Sequence, residues 1–167
     1  MQVRDATAHD MAAVCDLYNA SVGTTTVAWT DTPESPGDRM VWFEQQRHDG
    51  FPVLVAESDG VVVGFTSYGS FRGAGRWPGY RRTVEHTIHV DRHHWGAGIG
   101  RRLLLELIDR AAAAEIHVMI GAVDADNEAS LRFHERLGFR EVARLPEVGF
   151  LFGRWLDLVL VQRIIGT

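Results

Sequence analysis

Hydrophobic and polar residues follow two different periods in the middle of the chain. Over Thr83–Val90 they alternate with a period of two, which predicts a strand with Glu85 and Thr87 on one face. From Leu103 onward, leucine, isoleucine and alanine recur at helical spacing. The loop Trp95–Gly100 lies between these two segments. The pattern therefore predicts a strand, a glycine-bearing loop and a helix at the centre of the fold.

The same periods predict the other elements. Strands are predicted at Gln2–Ala6, Pro52–Glu57, Val61–Tyr68, His117–Val123, Phe139–Val142 and Phe150–Gln162, and helices at Met11–Tyr18, Asp38–His48 and from Asp126 or Asn127 to Leu137. Pro52–Glu57 and Val61–Tyr68 form a predicted hairpin. The element order β-α-α-β-β-β-α-β-α-β-β predicts an α/β fold, a mixed sheet with helices packed on it.

Two helices carry more detailed expectations. In Asp38–His48 we expect Met40, Val41 and Phe43, with Trp42, to face inward. The last predicted helix carries a polar stripe and an apolar stripe on different sides. The polar stripe comprises Asn127, Ser130 and His134, and the apolar stripe comprises Ala129, Phe133 and Leu137.

Composition limits the class of protein. The 167 residues predict one domain, residues 1–167, and the 46% hydrophobic and 23% charged fractions are those of an ordinary globular protein. The net charge of −5 argues against nucleic acid as a partner. No apolar run reaches membrane-spanning length, no signal peptide is recognisable, and the single Cys15 fits a reducing compartment. We therefore expect a cytoplasmic protein with neither nucleic-acid nor membrane partners.

The glycine loop indicates an anion site. Glycines at 96, 98 and 100 allow tight turns, and the following helix directs free N–H groups and its positive dipole end at the loop. Arg101 and Arg102 strengthen the positive field. The loop is not a P-loop, since no Gly-Lys-Ser/Thr follows, and its spacing is not that of the dinucleotide fingerprint. A glycine-rich turn without a ligand fits this loop equally well.

Several of these motifs together resemble the GCN5-related N-acetyltransferase superfamily. The resemblance covers essentially the whole chain and rests on strand 83–90, loop 95–100, Asn127 at a helix start and Leu137-Gly138-Phe139 at its end. More narrowly, Thr83-Val84-Glu85-His86 and the segment 152–157 resemble the phosphinothricin acetyltransferases, in particular the branch that acts on methionine sulfoximine and methionine sulfone. The resemblance implies a mostly antiparallel sheet with a splayed parallel strand pair, flanked by helices.

The resemblance also implies acetyl-CoA as cosubstrate. Backbone groups of Ile88, His89 and Val90 are expected to pair with the pantetheine arm, and Asn127 and Ser130 to contact the cosubstrate from the next helix. The expected pyrophosphate site comprises the amides of Gly96, Ala97, Gly98, Ile99, Gly100 and Arg101. Trp95 departs from the Gln or Arg that is usual in the family, so any side-chain contact to phosphate there is lost.

Two residues carry the expected chemistry. By resemblance, Glu85 is the general base that takes a proton from the amine, and burial in the cleft would raise its pKa towards that of a useful base. The alternative is a structural carboxylate paired with an arginine. His134 stands at the family's proton-donor position, usually Tyr, with a surface histidine as the alternative. No metal is expected, because the histidines of the segment 86–94 point in different directions and no cysteine supports them.

Substrate recognition is expected near the central strand. By resemblance, Arg72 holds the substrate carboxylate or polar tail, Gly73 and Ala74 supply backbone contacts, and Trp29 and Tyr80 form the walls. Glu85, His86 and Thr87 complete the expected substrate contacts.

The late part of the chain separates two branches of the family. Segment 149–153 lacks the histidine of the phosphinothricin enzymes, which favours methionine sulfone or sulfoximine as substrate. Arg154, Trp155 and Asp157 are expected to serve folding and a homodimer. Two alternatives stay open: acetylation of another amine or a protein N-terminus, and an acyl-CoA-binding module without catalysis.

Overall fold

The computed structural model describes residues 1–73 and 75–166. Seven strands and four helices follow one another in the predicted order. The strands are β1 (Gln2–Asp5), β2 (Val53–Ser58), β3 (Val61–Ser70), β4 (Thr83–Val90), β5 (Val118–Asp124), β6 (Arg140–Leu151) and β7 (Arg154–Ile164). The helices are α1 (Met11–Asn19), α2 (Pro36–His48), α3 (Ile99–Ala113) and α4 (Glu128–Arg136).

The seven strands form one mixed sheet in the order β1-β2-β3-β4-β5-β7-β6. All neighbouring strands are antiparallel except β4 and β5. This parallel pair is joined only where Thr83–Glu85 lies beside Val118–Ile120. Beyond Glu85 the two strands separate, so the described part of β4 has no strand partner on that edge from His86 onward. The splay opens a cleft in the middle of the sheet.

The helices cover the two faces of the sheet because each buries an apolar stripe. On one face, α3 contributes the fully buried Leu103, Leu104 and Leu107 to a core that also includes Val84 and Phe139. On the other face, α1 and α2 pack Met11, Val14 and Phe43 around Phe65. Successive side chains of β4 therefore point in turn towards the two cores on opposite faces of the sheet. The cleft lies between these two cores.

Four local expectations need correction. Val41 is not inward but 72% exposed, because Phe43 takes the core-facing position on α2. This helix begins at Pro36, since Ser35 caps it by accepting a hydrogen bond from the backbone N–H of Asp38. Ala129 is exposed rather than part of an apolar stripe. The predicted strand 150–162 is interrupted by a turn at Phe152 and Gly153, which joins β6 to β7.

The start of α4 settles an alternative left open above. Asn127 caps α4, since its side-chain oxygen accepts from the N–H of Ser130 at 3.0 Å. Asp126 instead accepts a hydrogen bond from Arg154 at 3.0 Å. No helix in the two described ranges is long and apolar enough to cross a membrane.

Candidate active site

The splay between β4 and β5 forms the floor of a cleft of about 400 Å³. Five segments line it: the loop after α1, the middle of β4, the end of β5, the first turns of α4 and one residue of β7. The lining residues are Thr26, Val27, Trp29, Glu85, His86, Thr87, Ile88, His89, Gly121, Ala122, Val123, Asp124, Asn127, Ser130, His134 and Leu158. The cleft thus brings together many of the predicted catalytic, cosubstrate and substrate residues.

Glu85 is the last residue of β4 that pairs with β5, so its side chain stands where the strands begin to separate. Within the described residues it forms no ion pair or side-chain hydrogen bond. Although Glu85 is exposed, partial desolvation in the cleft raises the pKa of its carboxyl above the ordinary value for glutamate. An unpaired carboxylate with a raised pKa at the edge of a cleft fits a general base better than a structural ion pair.

His89 lies on the same face of β4 as Glu85, but its side chain belongs to the core. The imidazole stacks on the Phe65 ring at a centroid distance of 5.0 Å and meets the Tyr18 ring at 5.4 Å. Burial, together with the nearby positive charge of Arg39, lowers the pKa of His89 to about 4. The imidazole is therefore neutral at physiological pH, and the backbone of His89 remains the part expected to meet the cosubstrate.

His86 points to the opposite face of β4, where it meets His134 of α4. Their ring centroids are 5.1 Å apart, and Phe139 packs against both rings. Gly121 makes this meeting possible, since a Cβ at 121 would lie 2.9 Å from Nε2 of His86 and 3.4 Å from Nε2 of His134. Burial, with a smaller effect of His134, lowers the pKa of His86 to about 3. His86 is thus a neutral, buried neighbour of His134.

The tautomer of His134 follows from its hydrogen bond. Its Nδ1 lies 2.7 Å from the carbonyl oxygen of Ser130, so Nδ1–H donates and Nε2 carries the lone pair. Burial lowers the pKa of His134, partly opposed by this bond to the carbonyl. His134 is 3% exposed, which excludes the surface-histidine alternative. As a neutral imidazole it must accept a proton at Nε2 before it can donate one.

The glycine loop has the geometry of the predicted anion site. Gly96 and Gly98 adopt φ values of +82° and +79°, which non-glycine residues rarely adopt, and a Cβ at either would meet nothing within 4 Å. The first donor inside α3 is Arg102, whose N–H bonds to the carbonyl of Gly98 at 3.1 Å. The preceding amides of Ile99, Gly100 and Arg101 have no partner inside the helix. The loop therefore presents backbone donors to open space.

The indole of Trp95 is fixed at the edge of this loop. Its Nε1–H donates to the carbonyl oxygen of Val90 at 2.9 Å, while the side chain is 71% exposed. Although Trp95 replaces the Gln or Arg that is usual at this position, its side chain still provides a hydrogen-bond donor to the end of β4. The aromatic faces remain in solvent.

The loop between β3 and β4 lies outside the cleft lining. The Arg72 guanidinium rests 5.6 Å from the centre of the Tyr80 ring, which in turn packs edge-on against Phe71. Arg72 itself adopts a left-handed backbone, with φ of +52°, and is exposed. The structure thus leaves Arg72, Gly73 and Tyr80 outside the residues that line the cleft, and the predicted contact at Ala74 lies outside the described residues.

Seven residues that line the cleft were not predicted: Thr26, Val27, Gly121, Ala122, Val123, Asp124 and Leu158. Gly121 gives no sequence signal, because its role depends on two side chains that come from other elements. Asp124 is 4% exposed and ends β5 with one carboxylate oxygen unpaired, and Leu158 comes from β7. A polar residue at the end of an apolar strand was the available signal for Asp124. Residues 1–73 and 75–166 contain no group of three metal-binding side chains, and the absence of a metal stays a prediction.

Comparison with known proteins agrees with this geometry. The model of the acetyltransferase (GNAT) family matches residues 14–139. The chain belongs to the acetyltransferase (GNAT) family. Family membership confirms the predicted fold class and makes the chain an acetyl-CoA-dependent N-acetyltransferase.

Individual relatives match nearly the whole chain. The methionine sulfoximine/methionine sulfone acetyltransferase of Salmonella typhimurium is 43% identical over 97% of this chain and 93% of its own length. A phosphinothricin N-acetyltransferase of Streptomyces viridochromogenes is 33% identical over 98% of this chain and 87% of its own. The structure of the acetyltransferase yncA from Salmonella typhimurium, which contains acetyl-CoA, superposes with a TM-score of 0.94 at 41% identity, covering 99% of this chain and 94% of that one.

Proposed function

We propose that this N-acetyltransferase transfers the acetyl group of acetyl-CoA to the α-amino group of methionine sulfone or methionine sulfoximine. The amine attacks the thioester directly in a ternary complex. The observation that carries the proposal is the unpaired Glu85 carboxylate, with its raised pKa, at the point where β4 and β5 separate. The Salmonella relative that acts on these two compounds supports the substrate class.

The proposed reaction needs two proton acceptors, and these roles are assigned to Glu85 and His134. Glu85 takes the first proton from the ammonium group, directly or through water, which frees the lone pair for attack. After attack, the nitrogen carries a surplus proton, and the neutral Nε2 of His134 accepts it. When the C–S bond breaks, its electron pair stays on sulfur and Nε2–H donates the proton to the thiolate. His134 thus ends the cycle neutral, and Glu85 releases its proton to solvent.

The cosubstrate fits two features of the described chain. The β4 edge from His86 to Val90 lacks a strand partner, so the pantetheine arm can pair there like an added strand, although the carbonyl of Val90 is already occupied by the indole N–H of Trp95. The amides of Gly96 and of Gly98–Arg101 receive the pyrophosphate at the start of α3, whereas the predicted amide of Ala97 already donates to the carbonyl oxygen of His94 at 3.4 Å. Asn127 and Ser130 line the cleft on the opposite side and contact the arm from α4. Backbone carbonyl and amide groups can bind the pantetheine arm and the pyrophosphate without a metal ion.

Substrate selection is assigned to the cleft wall and to the loop between β3 and β4. Trp29 lines the cleft and packs on Gly149, where a Cβ would overlap the indole ring. Thr87 offers a hydroxyl beside Glu85. From that loop, Arg72 pairs with the substrate carboxylate or the oxidised sulfur group through parallel N–H donors. Gly73 and Tyr80 support these contacts, whereas His86, whose side chain packs against His134 on the opposite face of β4, is not assigned a contact to the substrate.

The proposed working form is a cytoplasmic homodimer. The hairpin of β6 and β7 ends the sheet and exposes several large apolar side chains, two of which, Phe150 and Trp155, pack on each other. The exposed side chains are Val142, Val148, Phe150, Phe152 and Trp155, each more than half exposed. Sedimentation of the wild type at twice the monomer mass, and of Trp155→Lys at the monomer mass, is the expected result. A monomeric wild type would contradict the dimer.

The substrate class is tested by measuring thiol release from acetyl-CoA with a panel of amines. The panel contains methionine sulfone, methionine sulfoximine, phosphinothricin, methionine, a polyamine and a short peptide. Turnover with the sulfone and sulfoximine well above that with methionine is expected, because methionine lacks the polar oxygens that Arg72 would bind. Turnover only with the polyamine or the peptide would contradict the small-substrate pocket. CoA binding without turnover on any amine would favour the acyl-CoA-binding module.

A further inference from the structure

Trp95 combines high exposure with a fixed orientation. The side chain is 71% exposed, yet its indole N–H donates to the Val90 carbonyl at 2.9 Å. One edge of the ring is therefore held against the end of β4, while its aromatic faces stay open to solvent. A surface tryptophan with no core to fill is ordinarily mobile. This one is held as a flat, preformed platform.

The platform borders the proposed pyrophosphate site. Trp95 immediately precedes Gly96, and consecutive Cα atoms are about 3.8 Å apart. Neither Gly96 nor Gly98 carries a side chain that would separate the indole from a ligand on the loop, and the space beside both is open. A group attached to the pyrophosphate would thus come within reach of the ring.

The direction in which the cosubstrate lies along β4 determines which of its groups comes within reach of Trp95. Glu85 and Val90 lie five residues apart on one strand, roughly 17 Å. With the acetyl group at Glu85 and the pyrophosphate at the loop, the pantetheine arm occupies this distance. The nucleotide half of CoA then lies beyond Val90, on the side of Trp95.

Charge around the platform favours the same ligand. Arg92, Arg101 and Arg102 are all exposed near the two ends of the loop. Cationic side chains of this kind suit the phosphates of a nucleotide. An aromatic face among cations is the usual composition of a surface that binds a base with its phosphates.

We propose that Trp95 binds the purine ring of the cosubstrate, which stacks on the exposed indole face. The inference rests on the proposed position of the pyrophosphate at Gly96–Arg101. Stacking of a base on an aromatic side chain changes affinity by about fivefold to more than a hundredfold on removal of the ring. The alternative is a purely structural role, in which the indole N–H only holds the end of β4.

Two substitutions separate stacking from the structural role. Trp95→Gln keeps an N–H donor for the Val90 carbonyl but removes the aromatic face, whereas Trp95→Phe keeps a face and removes the donor. The experiment compares kcat/KM for acetyl-CoA with that for S-acetyl-4′-phosphopantetheine, which ends at its phosphate and lacks the nucleotide. Both cosubstrates are assayed with saturating methionine sulfone, or with whichever amine the panel identifies.

Stacking predicts that Trp95→Gln lowers kcat/KM for acetyl-CoA by about fivefold or more and leaves the value for the truncated cosubstrate within about twofold of wild type. Trp95→Phe should retain most of the preference for acetyl-CoA. Equal losses with both cosubstrates, or a loss in Trp95→Phe but not in Trp95→Gln, would overturn the inference. Equal use of both cosubstrates by the wild type would also overturn it while leaving the proposed function intact. Absence of transfer from either cosubstrate would instead refute the proposed function.

Discussion

Replacement of Gly121 by alanine tests how the floor of the cleft is packed. A methyl group at this position would lie 2.9 Å from Nε2 of His86, 3.1 Å from Cγ2 of Val161 and 3.4 Å from Nε2 of His134. These atoms belong to β4, β7 and α4, and their side chains are 8%, 3% and 3% exposed, respectively. No flexible surface side chain is available to move aside. Relief therefore requires a shift of a strand or a helix.

The expected cost follows from overpacking a dense core, which lowers the free energy of unfolding by about 1–3 kcal/mol. For a chain of this length, each kcal/mol lowers Tm by about 2–4 °C. We therefore expect Gly121→Ala to unfold about 2–12 °C below the wild type. Displacement of His134 should lower kcat as well, because its Nε2 would leave its position beside the splay.

Thermal unfolding followed by circular dichroism measures this change, and Gly37→Ala provides the matched control. Gly37 lies in the first turn of α2, where a Cβ meets only the Ser35 hydroxyl at an ordinary 3.5 Å. Alanine there should leave Tm unchanged or raise it by restricting the unfolded chain. Equal Tm values for Gly121→Ala and the wild type would refute the packing of His86 and His134 around residue 121.

Three further predictions concern charge and protonation. The free energy of unfolding should fall as pH decreases below about 6.5, because the unfolded chain binds protons that the folded His86 and His89, with pKa values lowered to about 3 and 4, do not bind. Glu34→Gln should cost about 3 kcal/mol, more than Arg39→Met, because it leaves a 5%-exposed guanidinium without its counter-charge, whereas the Glu34 carboxylate is 32% exposed and reaches water. The rate of acetyl transfer should fall on the acid side at a higher pH than an ordinary glutamate would give, since the raised pKa of Glu85 governs the active base.

Each of these has a direct readout. Denaturant unfolding at several pH values should show that the free energy of unfolding falls less steeply towards acid pH in His86→Gln than in the wild type. Equally steep falls would contradict the prediction for the buried histidines. The same method compares the loss of unfolding free energy in Glu34→Gln with that in Arg39→Met. A larger loss in Arg39→Met would contradict the prediction for this ion pair. A pH–rate profile without an acid limb would count against Glu85 as the base.

The order of elements was predictable because strands and helices impose different periods on the chain. Thr83–Val90 alternates and Ile99–Ala113 follows a helical repeat, so both elements were predicted closely. Boundaries were less accurate where a turn has no polar signal. Phe152 and Gly153 form the turn between β6 and β7 inside an apolar stretch. Phe152 adopts a φ of +52°, which is rare for a bulky side chain and could not be predicted from the residue type.

The candidate site was predictable only in part, because it depends on contacts between distant elements. Glu85, Asn127, Ser130 and His134 were found through the resemblance to the acetyltransferase superfamily, with helical spacing placing the last three on one stripe, and all line the cleft. The burial of His134 and its tautomer could not be predicted, since they depend on Ser130, Phe139 and His86 in three dimensions. Val41 was misplaced because periodicity alone does not decide which of the four consecutive apolar residues at 40–43 face the core.

The central claim is that Glu85 removes the proton from the attacking amine. Wild type and Glu85→Gln are compared in two measurements on the same preparations: calorimetric binding of CoA, and the rate of N-acetyl product formation followed by mass spectrometry. The account predicts equal CoA affinity and a rate about 10²–10⁴-fold lower in Glu85→Gln, because the amide cannot accept a proton. An unchanged rate with unchanged CoA affinity would contradict the claim.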